Sequence, residues 1–101
     1  MPRRRIWSKN RLYVDAVLTD QGDLVFEGQD LNGWLGYAEY EYWVTAPAFL
    51  VPQVVAALGG SPGDDVLTLL ADHAQEVVMR GESTWLRDLG IDPAIDTHTS
   101  D

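Results

Sequence analysis

The chain has 101 residues, and 46% of them are hydrophobic, which is enough for one folded domain with its own core and excludes a largely disordered polymer. It contains no cysteine, so a disulfide framework, a thiol nucleophile and a zinc–thiolate site are excluded. Five of the seven basic residues lie in the first eleven positions. Residues 12–101 contain the other two basic residues and all sixteen acidic residues, so their net charge is −14. This excess predicts repulsion from nucleic acid and anionic membranes, and attraction to basic partners.

The first half of the sequence predicts β-strands, because apolar and polar residues alternate along it. In residues 12–19, apolar residues occupy every second position and more polar residues occupy most of the positions between them, which is the period of a β-strand. A turn with Gly22 near its tip leads to a return strand over 24–28. Residues 39–45 alternate in the same way, and 4–10 are a more polar candidate strand. These segments predict an antiparallel sheet with one packed face and one solvent-facing face.

The second half predicts helices, because the apolar residues there follow the α-helical period. A first helix begins among two prolines and ends at Gly59. Residues 64–80 carry the apolar stripe of one long helix, and 83–89 predict a last short helix. Residues 92–101 show no periodicity and predict a disordered tail.

This order of elements predicts an α+β fold. Strands come first and helices follow, so a parallel βαβ arrangement is disfavoured. We expect an antiparallel three- or four-stranded meander followed by two or three helices packed on one sheet face. Residues 1–91 then form a single domain that begins with a flexible basic arm over 1–5, and the tail over 92–101 follows it.

The segment 34–43 is the densest candidate for a binding surface. It holds five of the ten aromatic residues of the chain, interleaved with two glutamates. Tryptophan and tyrosine dominate binding hot spots, and a loop leading into an aromatic strand suits recognition. The alternative is that the aromatics belong to the core and that the glutamates are solvated or pair with Lys9 and Arg11. The candidate partner-binding residues are Trp34, Tyr37, Glu39, Glu41 and Trp43.

We predict no catalytic residues, no metal site and no cofactor. Glu39 and Glu41 point in the same direction from one strand face. They therefore cannot lie on opposite sides of a substrate bond, as an acid–base pair must. Asp64 and Asp65 precede a helix, where capping and the helix dipole explain them. His73 has no second histidine or carboxylate cluster with metal-ligand spacing.

The basic arm is the one feature that resembles a nucleic-acid contact. The strongly acidic body opposes such binding, which would be weak and salt-sensitive. Folding of the arm onto the acidic sheet face, within one chain or between two chains of a dimer, is the alternative. The start of the chain has no apolar segment behind its basic residues, and no apolar stretch is long enough to span a bilayer. We therefore expect a cytoplasmic protein without membrane contact.

Four stretches resemble a group of short acidic proteins from actinomycete bacteria. They are LTDQGDLVFEGQDL over 18–31, EYEY over 39–42, LGGSPGDDVL over 58–67 and GESTWL over 81–86. The resemblance covers most of residues 12–91 and implies a standalone single-domain protein. It implies no activity, ligand or catalytic residue. In charge and size alone the chain is also similar to small acidic immunity proteins that neutralise basic nucleases.

Two classes of function follow from these patterns. The first is a non-enzymatic interaction module that binds a basic protein surface, with an immunity or antitoxin role as its sharpest form. The alternative is a small-ligand-binding protein or enzyme, with a pocket between sheet and helices and Tyr13, Asp15 and Glu41 near its mouth. A homodimer in which the arm of one chain lies on the acidic face of the other is a third possibility.

Overall fold

A computed structural model describes residues 1–32 and 39–100 of the chain. It is an α+β fold built on one antiparallel sheet, in which five strands follow each other in the order β1-β2-β3-β4-β5. The sheet is therefore a simple meander, and each strand pairs with its neighbours in sequence. The strands are β1 (Arg3–Lys9), β2 (Leu12–Leu18), β3 (Leu24–Asp30), β4 (Glu39–Ala46) and β5 (Ala94–Ser100).

Tight turns set the register of the first three strands. Asn10 and Arg11 join β1 to β2 with φ angles of 54° and 60°, the pair of positive values that a two-residue hairpin turn requires. Between β2 and β3, Gly22 has a φ of 88°, and its amide donates to the carbonyl of Thr19. The predicted turn at Gly22 is confirmed.

Four α-helices and a short 3₁₀-helix lie between β4 and β5. Gly59, with a φ of 78°, follows the first α-helix closely and allows the chain to leave it, as the sequence predicts. Within the part of the chain that the structure describes, no helix is both long and apolar enough to cross a membrane. The helices are α1 (Val51–Ala57), α2 (Val66–Asp72), α3 (Ala74–Arg80) and α4 (Glu82–Asp88), and the 3₁₀-helix is Ala48–Leu50.

The single helix expected over 64–80 is divided at His73 into α2 and α3. His73 has a φ of −118° and ends one helix as it begins the next. The carbonyl of Leu69 can only accept hydrogen bonds, so Nδ1 of His73 is the donor in their 2.9 Å contact. This side-chain bond accompanies the departure from helical geometry at His73, a signal that an apolar stripe does not carry.

The core lies between the helices and one face of the sheet. Phe26 and Leu24 from β3 have no exposed surface, and they belong to one cluster with side chains from the helices. The apolar side predicted for residues 12–18 and 24–28 is therefore confirmed as the packed face. The helices supply Val54, Leu70, Val77, Trp85 and Leu86, and Ile91 follows them.

Two predictions at the chain ends are wrong. Residues 3–5, expected in a flexible arm, belong to β1, because they pair with β2 and the side chains of Arg3 and Arg5 bind carboxylates on β2 and β3. Residues 94–100, expected in a disordered tail, form β5 along β4. Hydrogen bonding to a preformed strand, together with the β-branched residues Ile95, Thr97 and Thr99, stabilises this segment as a strand. The sheet consequently has five strands instead of three or four.

Candidate functional site

The face of the sheet opposite the helices, called the open face below, carries most of the charged residues of the strands. The strand registers set Arg5, Asp15, Glu27, Trp43 and Asp96 in one row across all five strands. The next row runs through Ser8, Tyr13, Gln29, Glu41 and His98.

Two arginines of β1 are bound to carboxylates of the open face in the same chain. Asp15 accepts from Nη1 of Arg3 at 3.0 Å and from Nε of Arg5 at 2.6 Å. Arg3 also donates to Glu27 at 2.9 Å. The hydrogen bond to Asp15 raises the pKa of Arg5. Folding of the basic segment onto the acidic face within one chain, one of the two predicted arrangements, is therefore what the structure has.

Arg5 also contacts an aromatic ring. Its guanidinium carbon lies 5.3 Å from the ring centroid of Tyr13, within the range of a cation–π contact. One cation on the open face is thus held by a carboxylate and an aromatic side chain together. This combination is the usual way in which proteins hold arginine at an interface.

A depression of about 280 Å³ occupies the middle of the open face. Arg5 and Asp15 form one side of it, and Glu41 and Trp43 form the other. In contrast to Asp15, the Glu41 carboxylate has no ion pair or hydrogen bond to any residue in the ranges 1–32 and 39–99. The lining residues are Arg5, Tyr13, Asp15, Glu27, Gly28, Gln29, Glu41 and Trp43.

The structure brings together three of the five residues predicted to bind a partner. Glu39, Glu41 and Trp43 alternate along β4 and share the open face. Glu39 accepts a 2.7 Å hydrogen bond from Nε2 of Gln29. The other two, Trp34 and Tyr37, lie outside the described residues.

The alternative pairing of these glutamates with Lys9 and Arg11 is wrong. The Lys9 ammonium lies 5.3 Å from the ring centroid of Trp7, and Nε of Arg11 donates to the carbonyl of Leu31 at 3.0 Å. The residues that do hold open-face acids are Arg3 and Arg5, which the sequence analysis left in a flexible arm. Arg3 and Arg5 are two residues apart, so in a strand they share one face. Acidic residues occupy the polar face of the segments 12–18 and 24–28, and together these two patterns are a signal for the observed ion pairs.

The pocket expected between sheet and helices has different walls from those predicted. Tyr13, Asp15 and Glu41 lie on the open face, so they are not at its mouth. A groove of about 310 Å³ lies instead on the helix side, beside the start of α4. It is lined by Leu12, Asp30, Tyr40, Tyr42, Val44, Gly81, Glu82, Ser83 and Ile95.

A buried carboxyl group lies in the wall of this groove. Glu82 is 5% exposed, and its Oε1 accepts a 2.7 Å hydrogen bond from the hydroxyl of Tyr42. Burial raises the pKa of Glu82, and the Tyr42 hydrogen bond acts in the opposite direction. Burial and the neighbouring Glu82 raise the pKa of Tyr42. The sequence gives no signal for this role of Glu82, because a lone glutamate at a helix start is typical of an exposed position.

Of the two aspartates before α2, Asp65 is the helix-capping residue, whereas Asp64 is bound within the preceding turn, so the predicted capping role is confirmed for Asp65 alone. Asp65 accepts from the amide of Leu67 and the hydroxyl of Thr68, and Asp64 accepts from the amide of Ser61. Among residues 1–32 and 39–100, no three His, Asp or Glu side chains are grouped so that they could hold a metal ion.

No protein-family model, curated protein or solved structure matches this chain. The open face and the groove are therefore the two features of the described residues from which a function can be inferred.

Proposed function

We propose that the protein is a non-catalytic interaction module that binds a cationic segment of another protein on the open face. The observation that carries the proposal is that a cation neutralises the carboxylate on only one side of the depression. On one side Arg5 occupies Asp15 and Tyr13, and on the other Glu41 and Trp43 offer the same pairing of a carboxylate with an aromatic ring. A partner's arginine or lysine is the group that fits Glu41 and Trp43.

The overall charge of the chain also supports binding of a cationic partner. The chain carries −9, and the two arginines of β1 neutralise only part of the acidic row. Such a surface accelerates encounter with a cationic protein, and the aromatic side chains then slow dissociation. Inhibition of a basic protein is the sharpest form of this function.

The test uses a short peptide of alternating arginine and serine. The same peptide with citrulline in place of each arginine is the uncharged control. In a two-dimensional NMR titration, we expect the arginine peptide to shift the Trp43 indole and the backbone amides of Gln29 and Glu41. We expect the citrulline peptide to shift none of them. Shifts spread evenly over the acidic helices would contradict the proposal.

A matched pair of charge reversals separates a specific site from general attraction. Glu41→Lys and Glu76→Lys change the net charge equally, but Glu76 is exposed on α3, on the helix side of the sheet. We expect Glu41→Lys to raise the peptide dissociation constant about tenfold, and Glu76→Lys to change it about twofold or less. Equal losses in both variants would show that only net charge matters.

We propose binding of a small molecule in the groove as a second candidate, because a carboxyl group that is 5% exposed faces it. Buried carboxyls in clefts are frequent at ligand sites. Aromatic and apolar walls beside Glu82 suit an arylalkylamine. Phenethylamine at a hundredfold excess over its dissociation constant would add about 2.7 kcal/mol of apparent stability. Phenethyl alcohol is the uncharged control, and no stabilisation by the amine would remove this candidate.

A further inference from the structure

Strand β5 is an edge of the sheet on which another strand can be added. It is the last strand in the order β1-β2-β3-β4-β5, and within the described residues its one strand neighbour is β4. Residues 94–98 are exposed. An edge of this kind presents a row of backbone N–H and C=O groups to any strand that can pair with it.

The other edge of the sheet is protected in ways that β5 is not. β1 carries Arg3, Arg4 and Arg5, and its register shifts between Arg5 and Trp7. Charged side chains and bulges are the usual means by which an edge strand is kept from pairing. β5 has a single acidic residue, Asp96, and no lysine, arginine or proline, and its register with β4 is continuous. The strand therefore retains a regular edge.

We propose that two copies of this protein pair through β5 in an antiparallel manner about a two-fold axis at Thr97, which gives a ten-stranded sheet. The sequence of β5 is complementary to itself in this register. Asp96 lies opposite His98 of the second copy, and by symmetry the contact occurs twice. An imidazole donates to a carboxylate in either of its protonation states. The remaining opposite positions are Ala94 with Ser100, Ile95 with Thr99, and Thr97 with itself.

Competing registers are less favourable. An axis at Asp96 would place two carboxylates opposite each other, and an axis at His98 would lose both contacts between Asp96 and His98. A shift by one residue would place outward-pointing backbone groups of one copy opposite inward-pointing groups of the other, and the ladder would lose its hydrogen bonds. Axes at Asp96, Thr97 and His98 all keep both open faces on one side, but only the axis at Thr97 pairs the acid with the base.

The same register covers an exposed apolar side chain. Ile95 is 44% exposed, one of the four large apolar residues that the structure records as exposed. Paired β-branched side chains stabilise neighbouring strands. Thr99 of the second copy, opposite Ile95, would provide such a contact. This inference does not depend on the proposed binding of a cationic partner.

The first test is a charge exchange, measured by sedimentation equilibrium of the full chain over about a hundredfold dilution. His98→Asp places Asp opposite Asp96, and Asp96→His places His opposite His98. We expect each single variant to raise the dimer dissociation constant about tenfold. The double variant Asp96→His/His98→Asp restores both pairs with their members exchanged, so its dissociation constant should return to within about threefold of the original.

The double variant also controls for effects inside one chain. His98 lies opposite Glu41 on β4, so an aspartate there adds repulsion in the single and the double variant alike. Asp96 and His98 also share one face of the same strand, so restoration of the dimer is interpreted together with the cross-linking test below, which reports the contact between copies directly. A monomer at every concentration, weakening without restoration, or assemblies that grow beyond two copies would overturn the proposal.

The second test locates the axis. The chain has no cysteine, so Thr97→Cys and Thr99→Cys each introduce a single thiol. Opposite residues of an antiparallel pair lie about 4.5–5.5 Å apart between Cα atoms, which a disulfide can span. Mild oxidation should cross-link Thr97→Cys and leave Thr99→Cys, whose copies are several residues out of register, unlinked. Equal cross-linking of both variants would exclude an axis at Thr97.

Discussion

The hydroxyl of Tyr42 donates a 2.7 Å hydrogen bond to the carboxyl of Glu82 and thereby ties β4 to α4. Tyr42 reaches Glu82 because its ring crosses over Gly28 on the neighbouring strand. A Cβ atom at position 28 would lie 2.0 Å from Cζ of the Tyr42 ring. The glycine in β3 and the buried carboxyl in α4 are therefore two parts of one arrangement around Tyr42.

Gly28→Ala should destabilise the protein by about 2 kcal/mol, because the Tyr42 ring must move and its bond to Glu82 weakens. The measurement is urea unfolding of the single variant, of Tyr42→Ala and of the double variant. We expect Gly28→Ala to cost much less when Tyr42 is already alanine, since the added methyl then meets no ring. The same cost in both backgrounds would place the strain elsewhere.

Glu82 should make the stability of the protein fall as the pH rises. Burial raises its folded-state pKa above the unfolded value, so its contribution is fully present below about pH 4.3 and is lost as the pH rises through the folded-state pKa. Relative to Glu82→Gln, the wild type should therefore become progressively less stable as the pH rises from below about 4.3 through the folded-state pKa.

Urea unfolding of both proteins across that range measures this difference. Glu76→Gln, at an exposed position on α3, is the matched control for the loss of one carboxyl group from a helix. A difference between the wild type and Glu82→Gln that stays constant with pH would mean that the Glu82 carboxyl group titrates alike in the folded and unfolded states.

The sheet was predictable to the extent that its strands alternate. Phe26 and Val14 fall on the apolar side of two clear period-two segments, and both are buried. β5 lacks such a segment, since Ile95 and two threonines share one side with no strong apolar contrast. It is ordered by pairing with β4, a tertiary contact that local pattern does not contain. The break at His73 was missed for a similar reason, because the apolar stripe continues through it and carries no signal for the change in backbone geometry.

The candidate site was predictable only along a single strand. Alternation placed Glu39, Glu41 and Trp43 on one face, and the structure has them there. The bridging of β1 to the acids of β2 and β3 depends on the register between strands, which the sequence analysis left open. Once Arg5 is known to lie opposite Asp15, their ion pair follows from charge alone.

The two phenylalanines of the chain should respond very differently to truncation. Phe26 has no exposed surface and packs in the core, whereas Phe49 is 80% exposed in the 3₁₀-helix. We expect Phe26→Ala to destabilise the protein by about 3–5 kcal/mol and Phe49→Ala by about 0.5 kcal/mol or less. Thermal and urea unfolding of both variants give the comparison. A large cost for Phe49→Ala would show that this ring is covered in solution.

Asp15→Asn should weaken the attachment of β1 to the open face, because Asp15 is the shared acceptor of Arg3 and Arg5. Both arginines are about half exposed, so we expect a loss of only about 0.5–1 kcal/mol at low salt. At about 1 M salt, where the screening length is about 3 Å, the loss should shrink further.

Hydrogen exchange at the amides of β1 should accelerate in the Asp15→Asn variant. Asp88→Asn removes the pair with Arg80, an arginine as exposed as Arg5, and serves as the control, since that pair lies outside the sheet. Unchanged exchange in β1 with Asp15→Asn would mean that backbone pairing with β2 alone holds the strand.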